Sequence, residues 1–385
     1  MSAEEALPRT EAPLHGIRVI EFTHMVMGPC IGLLLADLGA EVIRVEPEGG
    51  DQTRRLKGSG AGYFSMYNRN KKSVTLDLKS PEGLKQARAL VEGADIVVEN
   101  FRSGTLDRLG LGYEALRQTN PRLIFCAAKG FLSGPYGERT ALDEVAQMMG
   151  GLAYMTGPKG RPLRAGASVI DVTGGMFGVI GVLAALEQRH RSGVGQLVNC
   201  SLFETTAFLV GQHIAQGVLT GVAPPPMTER TSAWAVYDLF ETDSGEQVFV
   251  GVVSDAQWRT LCEAFALDDF AADEALALNN QRVAERERIL GRLRPLFKSL
   301  KKADLLATLE RIGLPFAPVA TPMDLVDDPH LNAGGMTELT IPHPGHPDAR
   351  TARLPALPIE FNNKRAPAWN DPPAPGQDNA ALLDK

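Results

Sequence analysis

The sequence predicts an α/β protein built on a parallel sheet, followed by a smaller α+β unit. Short β-branched runs alternate with helical patterns from residue 17, and an Ala-Pro-Pro-Pro segment at 223–226 interrupts that alternation. Length supports the division, because 385 residues exceed what a single small core organises.

The elements follow in order. Ile17 to Phe22 reads as a strand, Gly28 to Leu38 as a helix stopped by Gly39, and Glu41 to Glu46 as a second strand. Ser73 to Leu78 is a third strand. Ser80 and Pro81 then open a helix as cap and first-turn proline, with Leu84, Ala87, Leu90 and Val91 on one face. Asp95 to Glu99 and Leu123 to Ala128 read as further strands, and residues 172–190 as a long apolar helix ending in Arg-Ser-Gly. Residues 199–220 continue as apolar helix. Beyond a boundary near 222, Ala233 to Phe240 and Gln247 to Val253 pair across Thr-Asp-Ser-Gly, and helices follow at 255–265, 282–298 and 302–312. The expected organisation is a disordered extension at 1–13, a large domain at 14–222, a small domain at 223–330, and a proline-rich arm at 331–385 that returns to the large domain.

Composition excludes several classes. A net charge of −7 argues against a general nucleic-acid binder, which needs a basic face for phosphates. Cys30, Cys126, Cys200 and Cys262 are scattered, as expected of reduced thiols in a cytoplasmic protein. The histidines form no metal-binding array, and His343 and His346 fall in a Pro/Gly loop, so no metal is expected. The richest apolar stretch, 176–186, is too short for a membrane span and reads as a buried helix. No G-x-G-x-x-G follows the first strand, where Thr-His-Met-Val-Met-Gly-Pro stands instead, and no P-loop occurs.

The residue that carries most chemical information is Asp171, in Ser-Val-Ile-Asp-Val-Thr-Gly-Gly-Met (168–176), at the seam before the long helix. A helix start favours an ionised carboxylate, and Gly174 and Gly175 let a ligand or another backbone come close. Taken alone, the segment fits an ordinary N-cap better than a nucleophile. Arg102, Arg108 and Lys129 fall in the loops after two strands, where open α/β sheets bind ligands, and their cations suit phosphates.

Several blocks together resemble the CaiB/BaiF-type, or family III, coenzyme A transferases, which include formyl-CoA transferase and are related to α-methylacyl-CoA racemase. They are Gly-Ile-Arg-Val-Ile-Glu-Phe-Thr-His (16–24), Gly-Pro (28–29), Leu-Gly-Ala-Glu-Val-Ile-Arg-Val-Glu (38–46), Asn-Arg-Asn-Lys-Lys-Ser (68–73), Glu-Asn-Phe-Arg-Ser-Gly (99–104) and the Asp171 segment. The resemblance spans nearly the whole chain from Leu14. It implies a Rossmann-like large domain, a small domain, and ring-shaped chains interlocked as a homodimer. It implies a nucleophilic aspartate at Asp171 and contacts to CoA from Val26, Met27, Leu76, Lys79, Asn100, Phe101, Arg102, Arg108, Lys129 and Phe131. His24, Met25 and Gly174 would line the substrate pocket. CoA enters as a substrate, with no permanently bound cofactor and neither nucleic acid nor membrane as partner.

The implied reaction moves CoA between small organic acids through an aspartyl anhydride and an aspartyl-CoA thioester. The alternative is an acyl-CoA racemase of the same superfamily, but the histidine of that enzyme falls on Leu142, which cannot exchange a proton. Three further departures turn the expectation away from formyl and oxalyl groups. Val26 stands where formyl-CoA transferase has a glutamine, Pro47 where it has an arginine, and its glycine-rich flap corresponds to 227–235, which here holds no glycine. The Met25-Val26-Met27 run suits a more apolar pocket and a branched or unsaturated dicarboxylate, with Arg164 or Arg230 as candidate anchors.

Overall fold

The β-branched runs of the first two hundred residues assemble, in the computed structural model, into a six-stranded parallel sheet of order β3-β2-β1-β4-β5-β6. The structure describes residues 6–230, 232–341 and 349–383; His343, His346, Thr231 and the first five residues lie outside them. The strands are β1 (Arg18–Phe22), β2 (Glu41–Glu46), β3 (Lys71–Thr75), β4 (Ile96–Glu99), β5 (Ile124–Lys129) and β6 (Leu197–Ser201). Successive residues feed two cores. Val19, Val42, Ile96 and Val98 meet helices α1 (Met27–Asp37) and α4 (Val169–Ser192), while Ile20, Ile43, Val45 and Val97 meet α2 (Pro81–Glu92). Burial on both faces is why these strands read as continuous apolar runs.

Three differences from the sequence expectation have local causes. The third strand lies at Lys71–Thr75 rather than 73–78, because Lys71 is not a solvated end but a buried cation. A sixth strand, Leu197–Ser201, takes the first residues of the helix expected at 199–220; Leu197 and Asn199 face water, so no apolar run announces it. That helix is in fact two, α5 (Leu202–Leu209) and α6 (Gly211–Thr220), broken at Val210.

Helix α4 starts at Val169, three residues before the expected position, and runs for 24 residues. By length and composition it is long enough and apolar enough to cross a membrane, which the shorter apolar stretch seen in sequence is not. Its inner side packs on α1, β5 and β6 through glycines: a Cβ on Gly174 would sit 2.9 Å from Met27 Cε and one on Gly178 2.7 Å from Ile31 Cδ1, so each side-chain end would have to move aside.

The chain divides into two compact units, Met1–Glu229 with Val326–Lys385, and Arg230–Leu325. The first boundary falls beyond the expected 222 because the proline-rich 223–226 segment stays with the sheet unit, where Met227 N donates to Met155 O at 2.9 Å. Residues 6–13 are not the expected disordered extension. Leu7 and Ala12 are buried beside Ala366, and Leu7 N donates to Arg365 O at 2.9 Å. The end of the chain runs along β3, the sheet's edge strand: Ser73 N donates to Asp378 Oδ2 and Thr75 N to Asn379 Oδ1, each at 2.9 Å. An exposed row of amides is thereby paired. The tail also contains a hairpin unforeseen in sequence, β10 (Met336–Ile341) with β11 (Arg350–Pro355).

The second unit has an antiparallel sheet of β7 (Tyr237–Glu241), β8 (Gln247–Gly251) and the short β9 (Phe316–Pro318), the last unanticipated. Helices Asp255–Ala264, Arg286–Lys298 and Lys302–Arg311 close its core around Phe240, Trp258, Leu290 and Phe297.

A buried ionic network joins β1, β2 and β3. Arg44 Nη1 bonds Glu21 Oε1 at 2.8 Å, and its Nη2 pairs with Asp51. Lys71 Nζ bonds Glu21 Oε2 at 2.8 Å and donates to Pro29 O at 2.9 Å. Arg54 Nε donates to Glu46 Oε2 at 2.8 Å, and Ser73 Oγ donates to Glu46 Oε1 at 2.7 Å. Gly32 in α1 makes room for it, since a Cβ there would overlap Glu21 Oε2. Burial pulls the Lys71 ammonium down to about 8, against the opposing pull of Glu21. Removing one partner of such a network strands a charge. Arg44→Met should therefore cost about 3–5 kcal/mol in urea unfolding. Lys85→Met, at the exposed pair with Glu82, should cost less than about 1 kcal/mol.

Candidate functional site

The strand order reverses between β1 and β4, so the loops after these two strands diverge and leave a crevice at the carboxyl end of the sheet. A cleft of about 580 Å3 occupies this position, lined by His24, Met25, Pro47, Leu76, Lys79 and Phe101 among others. Its walls are tied together across the reversal. Asn100 Oδ1 accepts from His24 N at 3.0 Å, and Asn100 Nδ2 donates to His24 O at 2.9 Å. The side chain thus substitutes for a strand partner. His24 stacks on Phe101 with ring centroids 5.7 Å apart, and crowding by protein holds its imidazole below the usual basicity. Met25 adopts a left-handed backbone, φ 64°, and donates its amide to Thr53 Oγ1 at 3.2 Å.

Of the residues assigned to CoA contact, the structure gathers Leu76, Lys79 and Phe101 on this cleft, with His24 and Met25. Val26 and Met27 are buried where the loop enters α1. Arg102 and Arg108 are exposed on the segment after β4; Arg108 Nη2 donates to Thr105 Oγ1 at 3.3 Å. A second cavity of about 220 Å3 lies there, bordered by Arg102, Asp107, Tyr113 and Asn199.

Three of the assigned residues are placed differently from the expectation. Lys129 is not a free cation for phosphate: it pairs with Glu99 and donates to Phe101 O at 3.0 Å, because Glu99, buried at the end of the neighbouring strand, needs a counter-charge. Burial still holds the Glu99 carboxyl above its usual range despite that lysine. Phe131 is buried against Tyr136 and Phe203, with centroids 5.7 and 5.3 Å away. Gly174 does not line open space; it is covered by Met27. Asn100 is retained in the site, but its side chain is spent on holding the His24 loop.

Asp171 is the third residue of α4 rather than its cap. The cap position, Ser168, contributes no side-chain bond. The capping group comes instead from α3 (Asp143–Met149): Asp143 Oδ2 accepts from Ile170 N at 2.9 Å and from Asp171 N at 3.1 Å. In turn Asp143 Oδ1 accepts from Gln147 Nε2, and Gln147 Oε1 accepts from Ala165 N at 2.8 Å. Arg164 Nη1 bonds Glu144 Oε1 at 2.9 Å and its Nη2 donates to Ala167 O at 3.0 Å, so this candidate anchor is already engaged. Arg230 is exposed and belongs to the second unit. Leu142, the residue before α3, is 57% exposed.

The Asp171 side chain is half-buried, and among the described residues none donates to its carboxylate or pairs with it. Burial, then the nearby Asp143 charge, raise its pKa to about 7, opposed by Arg164. A helix running back from β5 towards β6 begins at the carboxyl end of a parallel sheet, the same end as the cleft. The contact of Gly174 with Met27 joins the two sites physically, since Met27 opens the helix that follows the cleft loop. A poorly stabilised carboxylate of this kind can attack a carbonyl or accept a proton. Among the described residues no group of three His, Cys, Asp or Glu side chains is placed to hold a metal ion.

The sequence profile of CoA-transferase family III matches residues 14–379. The chain is 35% identical over 343 residues to a succinate–glutarate CoA-transferase of Agrobacterium fabrum, covering 86% of each protein. It is 33% identical to a succinyl-CoA:mesaconate CoA-transferase of Haloarcula hispanica, over 97% of this chain and 96% of that one. A crystal structure of a CaiB/BaiF family protein from Brucella suis superposes with a TM-score of 0.83 at 34% identity, over 96% of this chain and 98% of the other.

The raised pKa of Asp171 has a consequence for stability. A folded pKa of about 7 above an unfolded value near 4 means that the ionised carboxylate costs stability, fully above about pH 7 and not at all below about pH 4. Asp171→Asn should therefore melt at a higher temperature than wild type at pH above about 7, with the difference vanishing as pH falls towards about 4. Equal melting temperatures at both ends would contradict the stated environment.

Proposed function

The chain belongs to CoA-transferase family III and so is an enzyme that passes CoA from an acyl-CoA to a carboxylic acid, and we propose that Asp171 carries the transfer covalently. The observation that supports this reading most is the half-buried Asp171 carboxylate, which receives no hydrogen bond among the described residues; burial and the Asp143 charge push its pKa up to about 7. An ordinary cap would be spent on amides; this one is available.

The steps balance around that group. An Asp171 oxygen attacks the thioester carbonyl, CoA leaves as thiolate, and a mixed anhydride forms. The thiolate then attacks the aspartyl carbonyl, releasing the donor acid and leaving an aspartyl-CoA thioester. The acceptor carboxylate attacks that thioester to form a second anhydride, and the thiolate takes the new acyl group, restoring Asp171. Each step conserves an activated acyl bond, provided water stays out. CoA is proposed to lie in the cleft at the strand reversal, with the pantetheine sulfur led past His24 and Met25 towards α4. Lys79 is an exposed cation on its wall for phosphate, and Arg102 and Arg108 are exposed cations on the neighbouring segment after β4.

The acids are proposed to be small dicarboxylates. Two relatives carry names with succinate, glutarate or mesaconate, and the Met25 side chain gives the cleft an apolar, adaptable wall. The protein is further proposed to act as a homodimer. Ile180 of α4, Phe208 of α5 and Ile214, Val218 and Leu219 of α6 are all exposed, Leu219 at 86%, and together offer an apolar surface on the sheet unit.

Three results test these points. Incubation with succinyl-CoA followed by hydroxylamine should mark the Asp171 peptide by mass, while Asp171→Ala and Asp171→Asn should give no mark and lose at least about a thousandfold in turnover. Because the ionised form attacks, adduct formation should fall about tenfold per pH unit below about pH 7, where an unperturbed aspartate would stay flat. The protein should sediment as a dimer, and Phe208→Glu combined with Leu219→Glu should shift it to monomer. Undiminished turnover in either Asp171 variant would refute the covalent reading.

A further inference from the structure

We propose that Asp143 is the positioning residue of this reaction: its carboxylate takes the amides at the start of α4, so that Asp171 is fixed in place yet left without a donor of its own.

The first-turn amides of a helix are the groups that ordinarily stabilise a carboxylate placed near its N-terminus. Here two of them, Ile170 N and Asp171 N, are taken by Asp143 Oδ2 at 2.9 and 3.1 Å. Asp143 is itself only 7% exposed. Its other oxygen accepts from Gln147, which is fully buried and anchored to the backbone through Ala165 N. The arrangement is therefore rigid, and it reaches Asp171 from a different helix 28 residues earlier in the chain. A carboxylate that merely closed a helix would need no such proximity to a second, unpaired carboxylate, because a serine or threonine does the same with no like-charge cost.

The charged surroundings of Asp171 support an electrostatic role as well as a mechanical one. From α3 come Asp143 and Glu144, both raising its pKa, and from the loop before α4 comes Arg164, lowering it. Cys30 of α1 and Tyr67 of the helix Tyr63–Tyr67 also lie within range, but burial pushes both groups up to about 12, so they are uncharged near neutrality. Two carboxylates thus face Asp171 against one guanidinium, which is itself paired with both, Nη1 to Glu144 Oε1 at 2.9 Å and Nη2 to Asp143 Oδ1 at 3.7 Å, and makes no pair with Asp171 among the described residues. The outcome is a nucleophile held at a defined backbone position, with its charge undersupplied with donors and hence more reactive towards an acyl carbon.

This inference rests on Asp171 being the group that is acylated. The experiment is a rapid-quench measurement of the CoA-bearing Asp171 peptide after mixing the full-length enzyme with succinyl-CoA, across pH, for wild type, Asp143→Asn and Asp143→Glu. Asparagine keeps an oxygen for the amides and removes the charge, so the pH midpoint should fall below that of wild type and the plateau rate should drop about tenfold or more. Glutamate restores the charge but adds a methylene, so the midpoint should stay near wild type while the plateau rate falls. Should Asp143→Asn fail to fold, Asp143→Glu decides alone: a wild-type plateau rate there overturns the proposal. With both variants folded, an unchanged midpoint in Asp143→Asn overturns it too. A wild-type enzyme that forms the adduct while the variants behave identically defeats this inference and leaves the Asp171 reading standing. A wild-type enzyme that forms no adduct at Asp171 defeats both.

Discussion

A carboxylate that has lost much of its water and gained no hydrogen-bond donor is costly to keep in a folded protein, and the architecture around Asp171 keeps one. Burial and a neighbouring acidic group raise its pKa to about 7 while the helix amides that would relieve it are taken by Asp143. The cost is met by rigidity elsewhere: a parallel sheet buried on both faces, glycines that let α4 lie against α1, and Asp143 locked by a buried glutamine. Were the first turn of α4 free to relax, its own amides would fold back on Asp171 and quiet it.

The cleft depends on a second constraint of the same kind. The loop after β1 adopts a left-handed residue at Met25, which is unfavourable for a side chain of that size, and is held there by Thr53 and by the two-point grip of Asn100 on His24. Below it, Glu21, Arg44, Asp51 and Lys71 form a buried ionic layer that fixes three strands relative to one another. Interior ion pairs of this sort add little net stability, yet each member fixes the position of the next once the set is complete. Both features place rigid scaffold under a mobile substrate, and both feed into α1, whose first residue, Met27, touches the helix carrying Asp171.

The parallel sheet was legible in the sequence wherever its strands are buried on both faces: β1, β2, β4 and β5 all stand within a residue or so of where their apolar runs place them. It was illegible at the edges. β6 exposes Leu197 and Asn199, and β3 is displaced because Lys71, polar by type, is buried by partners that are distant in sequence. The site shows the same division. Asp171 stood out by its place before an apolar helix, and His24, Met25 and Phe101 only through the family resemblance. Lys129 looked like a phosphate cation because Glu99, its partner, lies on the neighbouring strand. Gly174 looked like room for a ligand, although the room is filled by Met27. Asp143 carried no signal, since an acidic first turn is ordinary and only the fold brings it beside residues 170 and 171.

The covalent relay is tested most directly by following oxygen. An acceptor acid labelled with heavy oxygen in its carboxylate must, on this account, deliver one labelled oxygen to Asp171 when its anhydride is cleaved by the CoA thiolate. After turnover with unlabelled acyl-CoA in ordinary water, mass analysis should find the label in the Asp171 peptide and in no other. Product formed through many turnovers with that peptide still unlabelled would contradict the account.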